Sequence, residues 1–203
     1  MTKSRLEAFS DAVMAVAITL LALDLKVDRK DGVPLSTQLW DQWPSFAAYV
    51  VSFFIIGCIW ISHHALFSVA AGVDRAVMVY NILLLLFVTA IPFSTSTYAD
   101  YVQQGGDDAR IAVVAYGVVM AGMSVSFTLI LGQLLRSGLF SVQLTPDEKR
   151  KLLFQYSIGM LVYPIITLVG LINAPLMLLL YVPVIAYYFG PGTRVLGHEA
   201  ASP

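Results

Sequence analysis

Residues 5–23 read RLEAFSDAVMAVAITLLAL, a stretch that begins with charged and polar residues and continues as an almost purely apolar run. Its length is close to the ~20 residues that a helix needs to cross the hydrocarbon core of a membrane. Asp11 lies about one turn inside the expected boundary, and a charge at the centre of a membrane helix costs at least ~2.5 kcal/mol. We therefore predict a first membrane helix in which Asp11 faces protein or water and has a partner.

The composition extends this interpretation to the whole chain. Of 203 residues, 58% are hydrophobic and only 12% are charged, and the mean hydropathy is +0.78. In a soluble domain roughly a quarter of the residues are charged. Most of the surface of this protein is therefore expected to face the lipid bilayer. A net charge of −1 provides no basic field, and we expect no nucleic-acid partner. The single cysteine, Cys58, lies in an apolar run and is expected to pack there.

The N-terminus also has features of a signal peptide. Lys3 and Arg5 precede the apolar residues 12–23. However, Glu7 and Asp11 lie at the start of the run, and no small-x-small cleavage site follows it. We therefore interpret it as a retained first helix.

We predict an all-α integral membrane protein with six transmembrane helices per subunit, forming a single domain over residues 1–203. The helices are expected at about 6–25, 44–67, 77–97, 111–135, 152–172 and 175–189. The polar segments 26–43 and 100–110 and the charged segment 146–151 are expected to be loops. The sequence contains no internal repeat.

The basic residues predict the orientation in the membrane. With the N-terminus inside, eight lie in cytoplasmic segments: Lys3, Arg5, Arg75, Arg136, Lys149, Arg150, Lys151 and Arg194. Four lie in outer segments: Lys26, Arg29, Lys30 and Arg110. The excess predicts that both termini are cytoplasmic.

This topology places several polar side chains at one depth on three consecutive helices: Arg5, Asp11, His63, His64 and Asn81. Trp60 shares a helix face with His64, four residues away. The cluster is typical of a polar clamp between helices. A proton-sensing or metal-binding role is the alternative, because histidine titrates near neutrality and ligates metals. Adjacent histidines point to different faces, and no other Cys/His cluster is present.

An apolar stripe follows on the first helix, where Val16, Leu20 and Leu23 recur at helical spacing beside Thr19. Such a stripe is ordinarily a packing face. Small residues also repeat at four-residue spacing, as Ala8 with Ala12 and Ala15 with Thr19. These patterns let helices approach closely, so they permit this helix to lie at a crowded symmetry axis without requiring it.

The sequence has no phosphate-binding glycine loop, nucleophile triad or extended metal-ligand pattern, so we expect no enzyme and no cofactor. It also lacks the Thr-Val-Gly-Tyr-Gly filter of common potassium channels. A proton-coupled secondary transporter using Asp11, His63 and His64 remains an alternative, although transporters often have internal repeats. A membrane enzyme using the same three residues is a third possibility, without a recognisable nucleophile.

The pattern Arg5-x-x-x-Phe9-Ser10-Asp11 and the apolar run behind it resemble bacterial members of the transmembrane protein 175 family, which are potassium-permeable channels. Trp60-x-x-His63-His64 in the second helix supports the resemblance, which covers essentially the whole chain.

The resemblance implies a homotetramer in the bacterial inner membrane that conducts monovalent cations, chiefly K⁺, through a pore lined by the first helix. It places the constriction at Val16, Leu20 and Leu23 and a selectivity layer at Thr19. Relatives often carry isoleucine or leucine at the position of Val16, so the gate is expected at Val16 or Leu20. The remaining motif residues are expected to form a structural network: Arg5, Phe9, Ser10, Asp11, Trp60, His63, His64 and Asn81.

Overall fold

The computed structural model describes residues 2–27 and 30–190, and this part of the chain folds into helices without a β-sheet. The helices are α1 Lys3–Leu23, α2 Leu35–Asp41, α3 Trp43–Ser68, α4 Arg75–Tyr101, α5 Gly106–Arg136, α6 Pro146–Ser157, α7 Gly159–Ile172 and α8 Ala174–Phe189. Arg29 and Arg194, used to predict the orientation, lie outside the described residues.

Five segments are long and apolar enough to cross a membrane: α1, α3, α4, α5 and the stretch Pro146–Ile172. The sixth, α8, is apolar but has only 16 residues, or about 24 Å of helix. The predicted all-helical membrane architecture is confirmed, and these six segments correspond to the six predicted helices.

The prediction that residues 146–151 form a charged loop was wrong, because they are the first half of α6. The Thr145 hydroxyl accepts a hydrogen bond from the Glu148 N–H, and the Glu148 carboxylate accepts one from the Thr145 N–H at 2.7 Å. This reciprocal cap satisfies donors that an isolated helix end leaves unpaired.

The outer segment 26–43, predicted as a loop, contains the short helix α2. The Gln38 side chain donates to the carbonyl oxygens of Val33 and Lys30 at 2.7 Å and 3.1 Å, which folds the preceding turn against the helix. The predicted loop 100–110 is also shorter than expected, because α4 ends at Tyr101 and α5 begins at Gly106.

The long helix α5 packs against α4 and α7, and α3 packs against α4 and α8. Two glycines of α5 allow close approach: a Cβ at Gly117 would collide with the Thr167 side chain, and one at Gly122 with Phe87. The first helix, α1, packs mainly against α3 and α4. In the described part of the chain, one face of α1 is therefore left without a partner helix.

At the end of the bundle where α1 begins, two connections meet. The Ala71 N–H donates to the Leu139 carbonyl at 2.9 Å, and the Ser141 N–H donates to the Val69 carbonyl at 2.9 Å. Asp74 caps α4 by accepting from the Val77 N–H and also accepts from the Gln133 side chain, contacts that lower its pKa. These bonds place the α3–α4 and α5–α6 connections on one side, as alternating membrane crossings require.

Candidate functional site

The first helix divides into a buried face and an exposed face. Leu6, Ser10, Met14, Ala17 and Leu21 are buried, and their spacing of three or four residues places them on the side that contacts α3 and α4. The packing of this face and its buried hydrogen bond from Asn81 to Ser10 set the rotation of α1 about its axis, because van der Waals contacts and hydrogen bonds drive the association of helices in lipid.

The predicted constriction residues lie on the other side. Val16 is 56% exposed, Leu20 40% and Leu23 63%, and Thr19 is exposed beside them. They do not pack into the core of their own subunit. Within residues 2–27 and 30–190, the helices of the same subunit therefore leave this stripe largely uncovered.

The Thr19 hydroxyl donates to the Val16 carbonyl oxygen at 2.8 Å. Its single proton is thereby directed at the helix backbone, and the lone pairs of Oγ1 remain on the exposed side. Oxygen lone pairs are the groups that replace water around a partly dehydrated cation. Thr19 is thus the polar position within an otherwise apolar stripe.

A chain of buried hydrogen bonds joins α1, α3 and α4 near the N-terminal side of the bundle. The Asn81 side chain contacts His63 Nε2 at 2.9 Å and donates through Nδ2 to Ser10 Oγ at 2.9 Å. The Ser10 hydroxyl donates in turn to the Leu6 carbonyl at 2.9 Å. His63, Asn81 and Ser10 are all buried, so each partner satisfies a group that would otherwise be costly to bury.

The same hydrogen bonds also determine which atom donates and which accepts in each of them. Because the Ser10 proton is used on Leu6, Ser10 Oγ accepts, and the Asn81 amide must point its nitrogen at Ser10. The Asn81 oxygen then faces His63, so His63 Nε2 carries the proton and donates. Of the residues expected at one depth, the structure joins His63 and Asn81, and it adds Ser10 to them.

Asp11 belongs to a second, more exposed contact. Its Oδ1 accepts from the Trp60 indole N–H at 3.0 Å, and the Trp60 ring stacks on His64 with centroids 6.2 Å apart. Phe9 is 53% exposed on the same helix as Asp11. Asp11 and Ser10 are neighbours in sequence, but they point to different sides of α1.

The structure does not bring Arg5 into either set. Arg5 is exposed, and within residues 2–27 and 30–190 it forms no salt bridge with Asp11. In the same part of the chain, no group of three His, Cys, Asp or Glu side chains is placed to hold a metal ion.

Lys3 has a contact that the sequence analysis missed. Its ammonium group donates to the carbonyl oxygens of Phe67 and Ala70, at 2.9 Å and 3.0 Å, just where α3 ends. A cation is favourable there because the last carbonyls of a helix carry partial negative charge. No local pattern reveals this contact, because its acceptors are backbone atoms more than 60 residues away.

Comparison with known proteins gives an independent result. Residues 5–92 match the family model described as the endosomal/lysosomal potassium channel TMEM175. A protein of Streptomyces collinus named as a potassium channel is 40% identical over 201 residues, covering 98% of this chain and 97% of that protein. One of Chamaesiphon minutus with the same name is 40% identical over 126 residues, 61% of each chain.

The fold comparison agrees. A crystal structure described as a lysosomal potassium-selective channel TMEM175 homologue from Chamaesiphon minutus has a TM-score of 0.82 at 30% identity, covering 95% of this chain and 97% of that one. Animal relatives are more distant, and the rat protein, named as an endosomal/lysosomal proton channel, is 30% identical over 138 residues, 28% of its length. The resemblance seen in the first helix is confirmed: the chain is a multi-pass membrane protein and belongs to the TMEM175 family.

Proposed function

We propose that the chain is one subunit of a potassium-permeable cation channel in which several copies of α1 surround the pore. The observation that carries the proposal is the exposure of Val16, Leu20 and Leu23 on the face of α1 that its own subunit leaves uncovered. The names of the bacterial relatives support potassium as the permeant ion.

An oligomer follows from the geometry of a single lining helix. One helix cannot enclose a channel, so a pore built from α1 requires several copies, and closed cyclic symmetry is the usual arrangement. Ala8, Ala12 and Ala15 are exposed on α1 and let neighbouring copies approach closely. We propose four subunits.

In this assembly each exposed apolar position becomes a ring around the pore. Val16, Leu20 and Leu23 are separated by about 6 Å and about 4.5 Å along the axis at 1.5 Å per residue. Such rings exclude water, and a cation finds no oxygen there to replace its hydration shell. The constriction lies at Val16 or Leu20, and Thr19 supplies the hydroxyl layer between them.

We propose a structural role for the polar side chains near the start of α1. The hydrogen bonds from His63 end at the Leu6 carbonyl, which cannot pass a proton onward, and an amide such as Asn81 is a poor proton carrier. These contacts support a fixed rotation of α1. The excess of basic residues on one side supports a chain that lies in the inner membrane of a bacterial cell with both of its termini in the cytoplasm.

The test is to record currents from the purified protein in a planar bilayer with K⁺ on one side and Na⁺ on the other. We expect discrete current steps that reverse nearer the potassium equilibrium potential than the sodium one. Smooth flux that saturates with substrate, without unitary steps, would instead identify a transporter.

A further inference from the structure

The short helix α2 has one buried side chain, and that side chain is polar. Gln38 is buried and forms three hydrogen bonds with backbone atoms of the preceding turn. The apolar side chains of the helix are uncovered: Leu35 is 63% exposed, Leu39 40% and Trp40 79%, with the small Ser36 exposed beside Trp40. A helix surrounded by water shows the reverse pattern, because it buries its apolar side.

The exposed surface of α2 is itself divided into two flanks. At 3.6 residues per turn, Leu35 and Leu39 lie within about 40° of each other and form an apolar flank. Thr37 and Asp41, also exposed, lie within about 40° of each other and form a polar flank, about 160° from the first. Trp40 lies between the two flanks, on the side that faces away from the preceding turn.

The next helix indicates the level of α2 relative to the bilayer. The helix α3 begins at Trp43, two residues after α2 ends, and its 26 residues extend over about 39 Å. This length exceeds the ~30 Å of the hydrocarbon core and approaches the ~40–45 Å of the whole bilayer. The start of α3, and α2 beside it, are therefore expected at the level of the lipid headgroups.

The apolar surface of α2 continues onto this membrane helix. Trp43 and Phe46, in the first turn of α3, are both exposed, so large uncovered side chains follow one another from Leu39 to Phe46. Two of them are tryptophans, Trp40 and Trp43. Tryptophan is enriched where a membrane meets water, because its ring is largely apolar while its N–H is polar.

We propose that α2 binds the headgroup layer of the bilayer, on the side of the membrane where α1 ends. The apolar flank contacts acyl chains, the polar flank faces water, and the Trp40 indole lies among the headgroups. A helix at the boundary of water and lipid requires this division into two flanks. The continuity with exposed side chains of α3 favours phospholipid over a second copy of the chain as the partner. The inference is independent of the proposed channel function.

The test attaches a nitroxide spin label to single cysteines of the full-length protein in phosphatidylcholine vesicles, with Cys58→Ala removing the native cysteine. Leu39→Cys reports on the apolar flank, and Thr37→Cys, two residues away, is the matched control on the polar flank. Power-saturation electron paramagnetic resonance compares collisions with oxygen, which concentrates in hydrocarbon, and with a water-soluble nickel chelate. We expect a higher ratio of oxygen to nickel accessibility at residue 39 than at residue 37.

Three outcomes of this experiment would overturn the proposal. Equal ratios at the two positions would mean that the flanks do not face different surroundings. A ratio that favours nickel at both would place α2 in water. A label at residue 39 that neither reagent reaches would show that a second copy of the chain, instead of lipid, covers the apolar flank.

A conservative variant checks the position of Trp40 without any label. Trp40→Phe keeps an aromatic ring, and few contacts within the subunit are lost because Trp40 is so exposed. The fluorescence that this change removes, out of that of three tryptophans, belongs to Trp40. We expect this component to be quenched more by phosphatidylcholine brominated near the headgroup end of its acyl chains than by iodide in the water. Stronger quenching by iodide, or quenching by neither, would contradict the proposal.

Discussion

Asp11 and Trp60 form the one side-chain hydrogen bond by which the exposed side of α1 contacts α3 in the described residues. A hydrogen bond to a charged acceptor contributes about 1.5–3 kcal/mol, less where water competes. Asp11→Ala should therefore lower Tm and the yield of assembled oligomer more than it changes ion preference. Size-exclusion chromatography and thermal unfolding measure both effects.

Two further variants serve as controls for this contact. Asp11→Asn keeps an oxygen that accepts from Trp60 and should assemble nearly normally, whereas Trp60→Phe removes the donor and should behave like Asp11→Ala. If Asp11→Asn assembled normally but altered the pH response of the current, Asp11 would have a role in proton transfer.

Thr19 carries a hydroxyl on the exposed face of α1, where its neighbours Val16 and Leu20 have only apolar side chains. Thr19→Val keeps the shape of the side chain and removes the oxygen that faces away from the subunit. We expect conduction to persist and potassium-over-sodium discrimination to fall, because no side-chain oxygen then compensates for water lost by the ion. The reversal potential in mixed ions measures this, and an unchanged value would show that Thr19 does not contact the permeant ion.

At the scale of elements, the contact between α5 and α7 depends on Gly117. Gly117→Ala places a methyl group against the Thr167 side chain, which donates to the Tyr163 carbonyl at 2.8 Å. Forced overpacking costs about 1–3 kcal/mol, so Tm should fall.

Gly132, on the same helix, is the matched control, because no atom of a neighbouring element lies within 4 Å of its Cβ position. Gly132→Ala should leave Tm unchanged or raise it, since alanine stabilises a helix interior by about 1 kcal/mol relative to glycine. Equal shifts in the two variants would contradict the close packing of α5 on α7.

Hydropathy sufficed to predict the long helices, because a membrane span requires a long apolar run. It missed α2 and the charged half of α6, which are short or polar. The sequence contains the capping pattern Thr145-x-x-Glu148, which predicts a helix that begins at Pro146. The position of α2 was not predictable in this way, because it depends on contacts of Gln38 with the preceding turn.

For the candidate site, the sequence predicted the depth of the residues in the membrane but not the side of each helix on which they lie. Counting residues from the membrane boundary placed His63 and Asn81 level with the start of α1. It did not show that Ser10 points inward to Asn81 while Asp11 points outward to Trp60. That rotation is set by which face of α1 packs on α3 and α4, a property of the assembled bundle.

In the molecule as a whole, the exposed side chains of α1 differ in size from those of another helix, α7. On α7 the exposed side chains include large ones: Leu161, Ile165, Leu168 and Ile172. On α1 many are small: Ala8, Ala12, Ala15, Thr19 and Ala22. Small residues allow close contact between helices, so the exposed face of α1 is the better candidate for contact between subunits.

The central claim is that copies of α1 line a pore constricted at Val16 or Leu20, and single-channel conductance tests it most directly. Leu20→Ala and Val16→Asn should widen or wet the ring, raise the unitary current and reduce potassium selectivity. Val118→Asn is the matched control, because Val118 on α5 is 57% exposed against 56% for Val16, and it should leave conductance unchanged. Lower thermal stability with unaltered conductance in Leu20→Ala and Val16→Asn would contradict the account.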